Sequence, residues 1–335
     1  MASYAARLNA FRVGQEKYWP GKNGKVTTLD LIDRAATVPG LGAVDLNFPD
    51  HMAGIEAAEM KARLQDRGLA LNGFAMRYYT DPGFKLGAFT NPDPAVRRAA
   101  IDLTKRGIDT MAECGGDLMT LWLGRDGFDY SFQTDYARVW DMEIDGIREV
   151  AAHNPDIDIS LEYKPNEPRA FALLPDVGTT LLAAAAVGRP NLGVTLDFAH
   201  VLYAGEMPAY AAALVHRHSR LLGVHLNDGY GKRDDGLMAG SVHLVQTIEL
   251  LHTLRACGYG RAIYFDTFPD IVGLDPVDEC AANIGTMQAL WAIVDRLAPG
   301  TPEGARLLQA IARQDAIASQ RIVQAALFGM PAASV

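Results

Sequence analysis

Four apolar runs in this chain each carry, at or near their ends, one side chain able to bind a cation. Glu162 closes "DISLE", Asp197 closes "LGVTLD", His225 lies late in "LLGVHLN" and Asp266 lies late in "AIYFDTF". Taken singly, each reads as a satisfied core side chain or a helix cap. Together they are a different matter, because three converging carboxylates without a cation repel one another and raise their own pKa values. A divalent ion resolves that conflict. A donor set of carboxylate oxygens and imidazole, without thiolate, favours Mn²⁺, Mg²⁺ or Co²⁺ over a purely structural zinc. Lys164 follows Glu162 by two residues, the spacing that puts both on one side of an extended chain, where neither charge is tolerated unpaired. In "LDFAH" His200 lies three residues beyond Asp197, so Asp197 is placed to bridge two ions. The loop "HLNDGYGKRDDGL" supplies Asp228, Asp234 and Asp235. Asp234 is the best candidate to complete a second cation site with His200, while Asp228 and Asp235 read equally well as a solvated acidic turn.

Elements must bring these groups together. Eight short apolar runs recur along the chain: "FRVG" at Phe11, "GAVDLNF" at Gly42, "LALNGFAMR" at Leu69, "DLMTLWLG" at Asp117, "DISLEY" at Asp158, "LGVTLDF" at Leu192, "LLGVHLN" at Leu221 and "AIYFDTF" at Ala262. The segments between them are long enough for helices, and "DPAVRRAAIDLTKRGIDTMAECGG" and "LVQTIELLHTLRACGYG" are amphipathic. Eight strand–helix alternations with right-handed crossovers predict a parallel sheet closed into a (β/α)₈ TIM barrel, whose sites lie at the C-terminal ends of its strands. The barrel is expected over residues 1–300, followed by a C-terminal helical tail over residues 301–335. That tail is not needed to close a barrel, so packing across the outer ring or against another subunit is its expected use.

Bulk properties remove other classes. A net charge of −9 argues against nucleic acid or an anionic membrane as partner, since both need a basic face. The apolar runs are too short and interrupted to span a bilayer, and "MASYAARLNAFRVGQEKYW" lacks a signal peptide's apolar region, so a cytoplasmic location is expected. The three cysteines, Cys114, Cys257 and Cys280, form no CxxC and read as reduced buried thiols.

Four strings, "EYKPNEPR", "WLGRDG", "LDFAH" and "HLNDGYGKRDDGL", resemble the metal-dependent sugar isomerases of the xylose isomerase superfamily. The histidine in strand seven makes the likeness strongest to the L-rhamnose isomerase-like branch, and the first string is the most specific. The resemblance covers about half the chain, from strand four to strand eight. It implies a structural ion held by Glu162, Asp197, His225 and Asp266, and a mobile second ion near His200 and Asp234 shared through Asp197. One or two ions per chain are therefore expected. It also implies an aldose–ketose isomerisation of a free monosaccharide by hydride shift, with Glu162, Lys164 and Asp266 as catalytic groups. Lys164 would donate to the sugar carbonyl oxygen, and Trp122 and His200 would stand against the sugar. Trp122 reads equally well as a core tryptophan under a loop. Tyr18 and Trp19 sit in a loop that in such enzymes reaches a neighbouring active site, and a homodimer or homotetramer is expected.

The chain departs from the family pattern in three places. His225 stands where xylose isomerases have aspartate, and Gly236 falls on the second aspartate of a Lys-x-Asp-x-Asp-Leu pattern. The second strand lacks a His-x-x-Asp pair for sugar ring opening; Asp50 and His51 have the wrong spacing and read as a surface turn. Three rival readings share the fold: a keto-sugar 3-epimerase using Glu162 and Asp266 as paired acid and base, a metal-assisted lyase or deglycosylase acting on an oxidised sugar, and a sugar-binding barrel without catalysis.

Overall fold

The computed structural model describes residues 3–22, 24–78 and 80–330. Among them, eight parallel strands close a barrel: β1 (Tyr4–Arg7), β2 (Ala43–Phe48), β3 (Ala70–Met76), β4 (Leu118–Leu121), β5 (Asp158–Glu162), β6 (Leu192–Asp197), β7 (Leu221–Leu226) and β8 (Ile263–Phe265). One main helix follows each strand: α1 (Thr28–Ala35), α2 (Ala57–Asp66), α3 (Pro94–Cys114), α4 (Tyr136–His153), α5 (Val177–Val187), α6 (Pro208–His218), α7 (Leu244–Ala256) and α8 (Pro276–Arg296). The start signals are chemical. Asp93, Asp135, Asp176 and Asp275 accept backbone N–H bonds at the N-termini of α3, α4, α5 and α8, and proline opens both α3 and α8. Strands β2 and β6 are buried at every residue because the barrel interior covers one face and the helices cover the other.

The first strand differs from the sequence expectation. It is "YAAR", and "FRVG" instead follows it, with Leu8–Arg12 in a 3₁₀ turn that buries Phe11 completely. The true strand is four residues long and carries two alanines, so it has almost none of the β-branched or aromatic signal that marks strands. Its pairing is supplied by its neighbours: Ala5 is in register with Tyr264 on one side and Ala43 on the other.

The "EYKPNEPR" loop is held down from several directions. Arg169 donates to the Gly127 carbonyl at 2.9 Å and pairs with Asp129 at 3.2 Å, and the Tyr203 hydroxyl donates to Asn166. The tail forms α9 (Pro302–Ala312) and α10 (Ala316–Phe328), which bury Leu307, Ala310, Ile322 and Ala326 and leave Ile311, Ile317 and Phe328 exposed. Tyr18 ends a single helical turn and donates its hydroxyl to the Gly273 carbonyl of the same chain at 2.8 Å. Among the described residues no helix is long and apolar enough to cross a membrane.

Candidate active site

The closure of the barrel brings four strand ends to one point. Glu162 and Asp197 are the last residues of β5 and β6, His225 is the last but one of β7, and Asp266 follows β8 directly. One ligand atom from each lies within 4.8 Å of all the others. The set fits a divalent cation on its own geometry. His225 Nδ1 and Asp266 Oδ1 are buried without a hydrogen-bond partner, which is costly for polar atoms with no other use. His225 Nδ1 stands 3.4 Å from Glu162 Oε1, close to the carboxylate but outside hydrogen-bonding geometry.

Electrostatics describe the same strain. Burial raises the Asp197 pKa to about 7; His200 opposes it, while the charges of Asp234, Asp266 and Glu162 add to it. Burial also raises Asp266, against the pull of Arg7 and His225. For His225 burial acts downward, yet Glu162 and the two aspartates lift it to about 9. Burial would raise Glu162 as well, but the imidazoles of His225 and His200 bring it below the ordinary glutamate value. Without a cation the cluster therefore holds protons that a metal would displace.

A further residue, which the sequence alone does not single out, supports this cluster. Asn227 is fully buried and its Nδ2 lies 3.3 and 3.2 Å from the two oxygens of Asp197 and 3.1 Å from the Asp266 carbonyl oxygen. Its Oδ1 accepts the Ala199 N–H at 2.8 Å, which fixes the amide orientation. Its one signal in the sequence is its place two residues after His225 in "HLND".

Lys164 lies beside the cluster, buried, with Nζ 2.9 Å from Glu167 and 3.1 Å from Asp234. Burial lowers its pKa, but these two carboxylates outweigh that and keep it a firm ammonium. Asp234 in turn accepts from His200 Nε2 at 3.2 Å, and His200 Nδ1 donates to the Tyr163 carbonyl at 3.0 Å. Burial disfavours the imidazolium, yet Asp197 and Asp234 raise His200 to about 9. A ligand atom from each of Asp197, His200 and Asp234 also lies within 4.8 Å of the others, so a second cation has donors here. It would compete with the proton on His200 Nε2.

Glu162, Lys164, His200, His225, Asp234 and Asp266 line a cavity of about 300 Å³, walled by Trp122, Tyr264 and Phe268 and rimmed by Arg7 and Arg77. Trp122 faces this cavity, its ring centre 5.3 Å from Lys164 Nζ. The remaining acidic candidates fall elsewhere. Asp228, expected as a cation ligand or a solvated turn, is fully buried and accepts the N–H groups of Gly229, Val242 and His243 and the His243 Nδ1 hydrogen. Asp235 accepts from the Tyr230 N–H and from Arg233. Gly236 has φ +57°, and a Cβ there would overlap the Phe268 ring. The loop therefore excludes the aspartate of the family pattern by shape. Asp50 is exposed, but His51 is buried, contrary to the surface turn expected for it: its Nδ1 accepts the Asn47 N–H and its Nε2–H donates to Asn9 Oδ1.

Comparison with known proteins accords with this architecture. The family described as xylose isomerase-like TIM barrel matches residues 32–295. The chain belongs to that family. Xylose isomerases of Thermus thermophilus and Thermus caldophilus are each 32% identical over 212 residues, 62% of this chain and 55% of theirs. This xylose isomerase-like chain thus spans about half the length of the curated relatives it matches. Among solved structures, an L-ribulose 3-epimerase has a TM-score of 0.67 at 14% identity, covering 88% of this chain and 96% of that one. A xylose isomerase domain protein from Alicyclobacillus acidocaldarius has a TM-score of 0.63 at 20% identity, covering 88% and 99%. Likeness at such identities is likeness of fold.

Proposed function

We propose that the protein is a divalent-cation-dependent aldose–ketose isomerase acting on an open-chain monosaccharide. The observation that supports this best is a buried ammonium, Lys164 Nζ, sharing one cavity with Glu162, His225 and Asp266 of the four-ligand cluster. Glu162, Asp197, His225 and Asp266 would hold the ion, Mn²⁺, Mg²⁺ or Co²⁺ by its donor set, and when bound it supplies electrophilic stabilisation of sugar oxygens.

The reaction moves the hydrogen on C2, with its electron pair, to C1, while the proton on O2 goes to O1. No atom is gained or lost. Negative charge grows on the oxygens as the hydrogen moves, and Lys164 is placed to donate a hydrogen bond to O1. Asp234 and Glu167 hold Nζ in position beforehand, so the donor needs no reorganisation when the charge appears. His200, fixed through the Tyr163 carbonyl, keeps Asp234 ionised and thereby anchors Lys164. Trp122 and Phe268 supply apolar walls that limit water beside the reacting carbons.

Glu162 and Asp266 both line the cavity, which supports one rival: a proton leaving C3 to one carboxylate and returning from the other would invert that carbon. The test is to incubate the cation-loaded protein with a panel of aldoses and ketoses and follow the products by NMR. Interconversion of C1 and C2 carbonyls is the expected result. Inversion at C3 of a ketose, without aldose formation, would replace the isomerase reading by the epimerase one.

A further inference from the structure

Strand β1 lies opposite β5 in the barrel, so the side of the mouth remote from Lys164 is built by the ends of β1 and its neighbours. There the cavity meets a groove of about 440 Å³ lined by Arg7, Asn9, Arg12, Val13, Arg77 and Asp270. Arg7 and Arg77 line both spaces. Arg7 ends β1, Arg77 follows β3, and Arg12 ends the 3₁₀ turn after β1. Three guanidinium groups thus face one opening in a chain whose net charge is −9.

Among the residues lining the groove, three arginines stand with one aspartate, Asp270. Arg7 lies 3.6 Å from Asp266, which belongs to the ligand cluster, and 3.9 Å from the exposed Asp270, with its guanidinium over the Phe268 ring at 4.5 Å. Arg12 donates to the Val26 carbonyl at 3.4 Å. His51, beneath the groove, is held neutral near a pKa of about 3, by burial first and then by the fields of Arg77, Arg12 and Arg7. The convergence of these three cations is therefore felt at a buried atom that is not part of the groove. Asn9 gives its amide oxygen to His51, which leaves its Nδ2 hydrogens as donors.

We propose that the substrate carries an anionic group, a carboxylate or a phosphate, at the end remote from the reacting carbons, and that Arg12 and Arg77 bind it, with Arg7, held against Asp266, marking the inner end of the groove. The guanidinium fork matches the paired oxygens of either group, and a neutral sugar gives it nothing equivalent to accept its hydrogen bonds. The proposal rests on the isomerase reading only for the direction in which the sugar lies. A sugar acid or a sugar phosphate, rather than a free neutral sugar, is the class of substrate it predicts.

The test uses compounds that bind without turning over. The cation-loaded full chain is titrated by calorimetry with a hexitol, the corresponding hexitol 6-phosphate and a hexonate, none of which has a carbonyl to isomerise. At least one anionic probe is expected to bind tighter than the hexitol by roughly tenfold to a hundredfold. Which of the two does so separates phosphate from carboxylate. In Arg12→Met and in Arg77→Met that preference should shrink towards none, and added salt should weaken it. Arg12 is exposed, so its variant carries the test if Arg77→Met does not fold. Equal binding of all three probes, or an anionic preference unchanged in the variants, would overturn the proposal. An anionic preference in a protein that turns over no sugar would leave the subsite standing and remove the isomerase reading instead. Turnover of neutral sugars with no anionic preference would sink the subsite alone.

Discussion

Removing the cation should cost this protein stability in a pH-dependent way, because the ligand cluster is destabilised when empty. Asp197 titrates at about 7 in the folded chain rather than near its ordinary 3.8. For a carboxyl raised in this way the folded state holds the proton more tightly, so stability falls as pH rises from about 4 to about 7. Keeping Asp197 ionised at pH 8 costs on the order of 4 kcal/mol, and a bound cation offsets that cost. An ion present at about a hundred times its Kd adds about 2.7 kcal/mol of stability. With about 2.1 cal/mol/K of unfolding entropy per residue over 335 residues, that corresponds to a Tm increase of about 4 °C. The assay is thermal unfolding at pH 8 with EDTA and then with MnCl₂, in wild type, Glu162→Gln and His225→Ala. The wild type should gain the shift and both variants should lose it. An equal shift in all three would show that manganese acts elsewhere and would refute the reasoning.

Three further outcomes follow from particular contacts. Asn227→Ala removes the amide that orients Asp197, so cation affinity should drop roughly 10–100-fold by competition with a fluorescent chelator; unchanged affinity would leave Asn227 a purely structural residue. Gly236→Asp, which restores the family's aspartate, should lower stability by about 1–3 kcal/mol in denaturant titration, because of the positive φ and the contact with Phe268; a variant as stable as wild type would contradict the steric account. His51 is neutral when folded but titrates near 6.5 when unfolded, so stability is full above that pH and declines as pH falls towards 3, by at most about 5 kcal/mol; His51→Gln should flatten this slope, and an unaltered slope would assign the acid lability to other groups.

What can be read in the sequence follows from where each side chain sits on its element. Glu162, Asp197, His225 and Asp266 are legible because an ionisable side chain late in a buried strand is costly unless it binds something. Lys164 is legible from its spacing to Glu162. The strand "YAAR" is not, since its identity lies in the neighbours it pairs with rather than in its own residues. Arg7, Arg77 and Asn227 are hidden for a related reason: each is an ordinary residue at a strand edge until the barrel places it beside groups many residues distant. The string "FPDH" has the polar, proline-containing look of a surface turn, yet His51 packs inward because Asn9 and the Asn47 N–H are waiting for its two nitrogens.

Hydrogen transfer within an open-chain sugar, assisted by Lys164, is decided by running the best substrate in D₂O with wild type and with Lys164→Met at equal cation content. Transfer within the sugar predicts almost no deuterium at the reacting carbon, and a loss of turnover in the variant on the order of a hundredfold or more, with sugar binding much less affected. Rapid deuterium uptake from solvent, with turnover in Lys164→Met close to that of wild type, would contradict it.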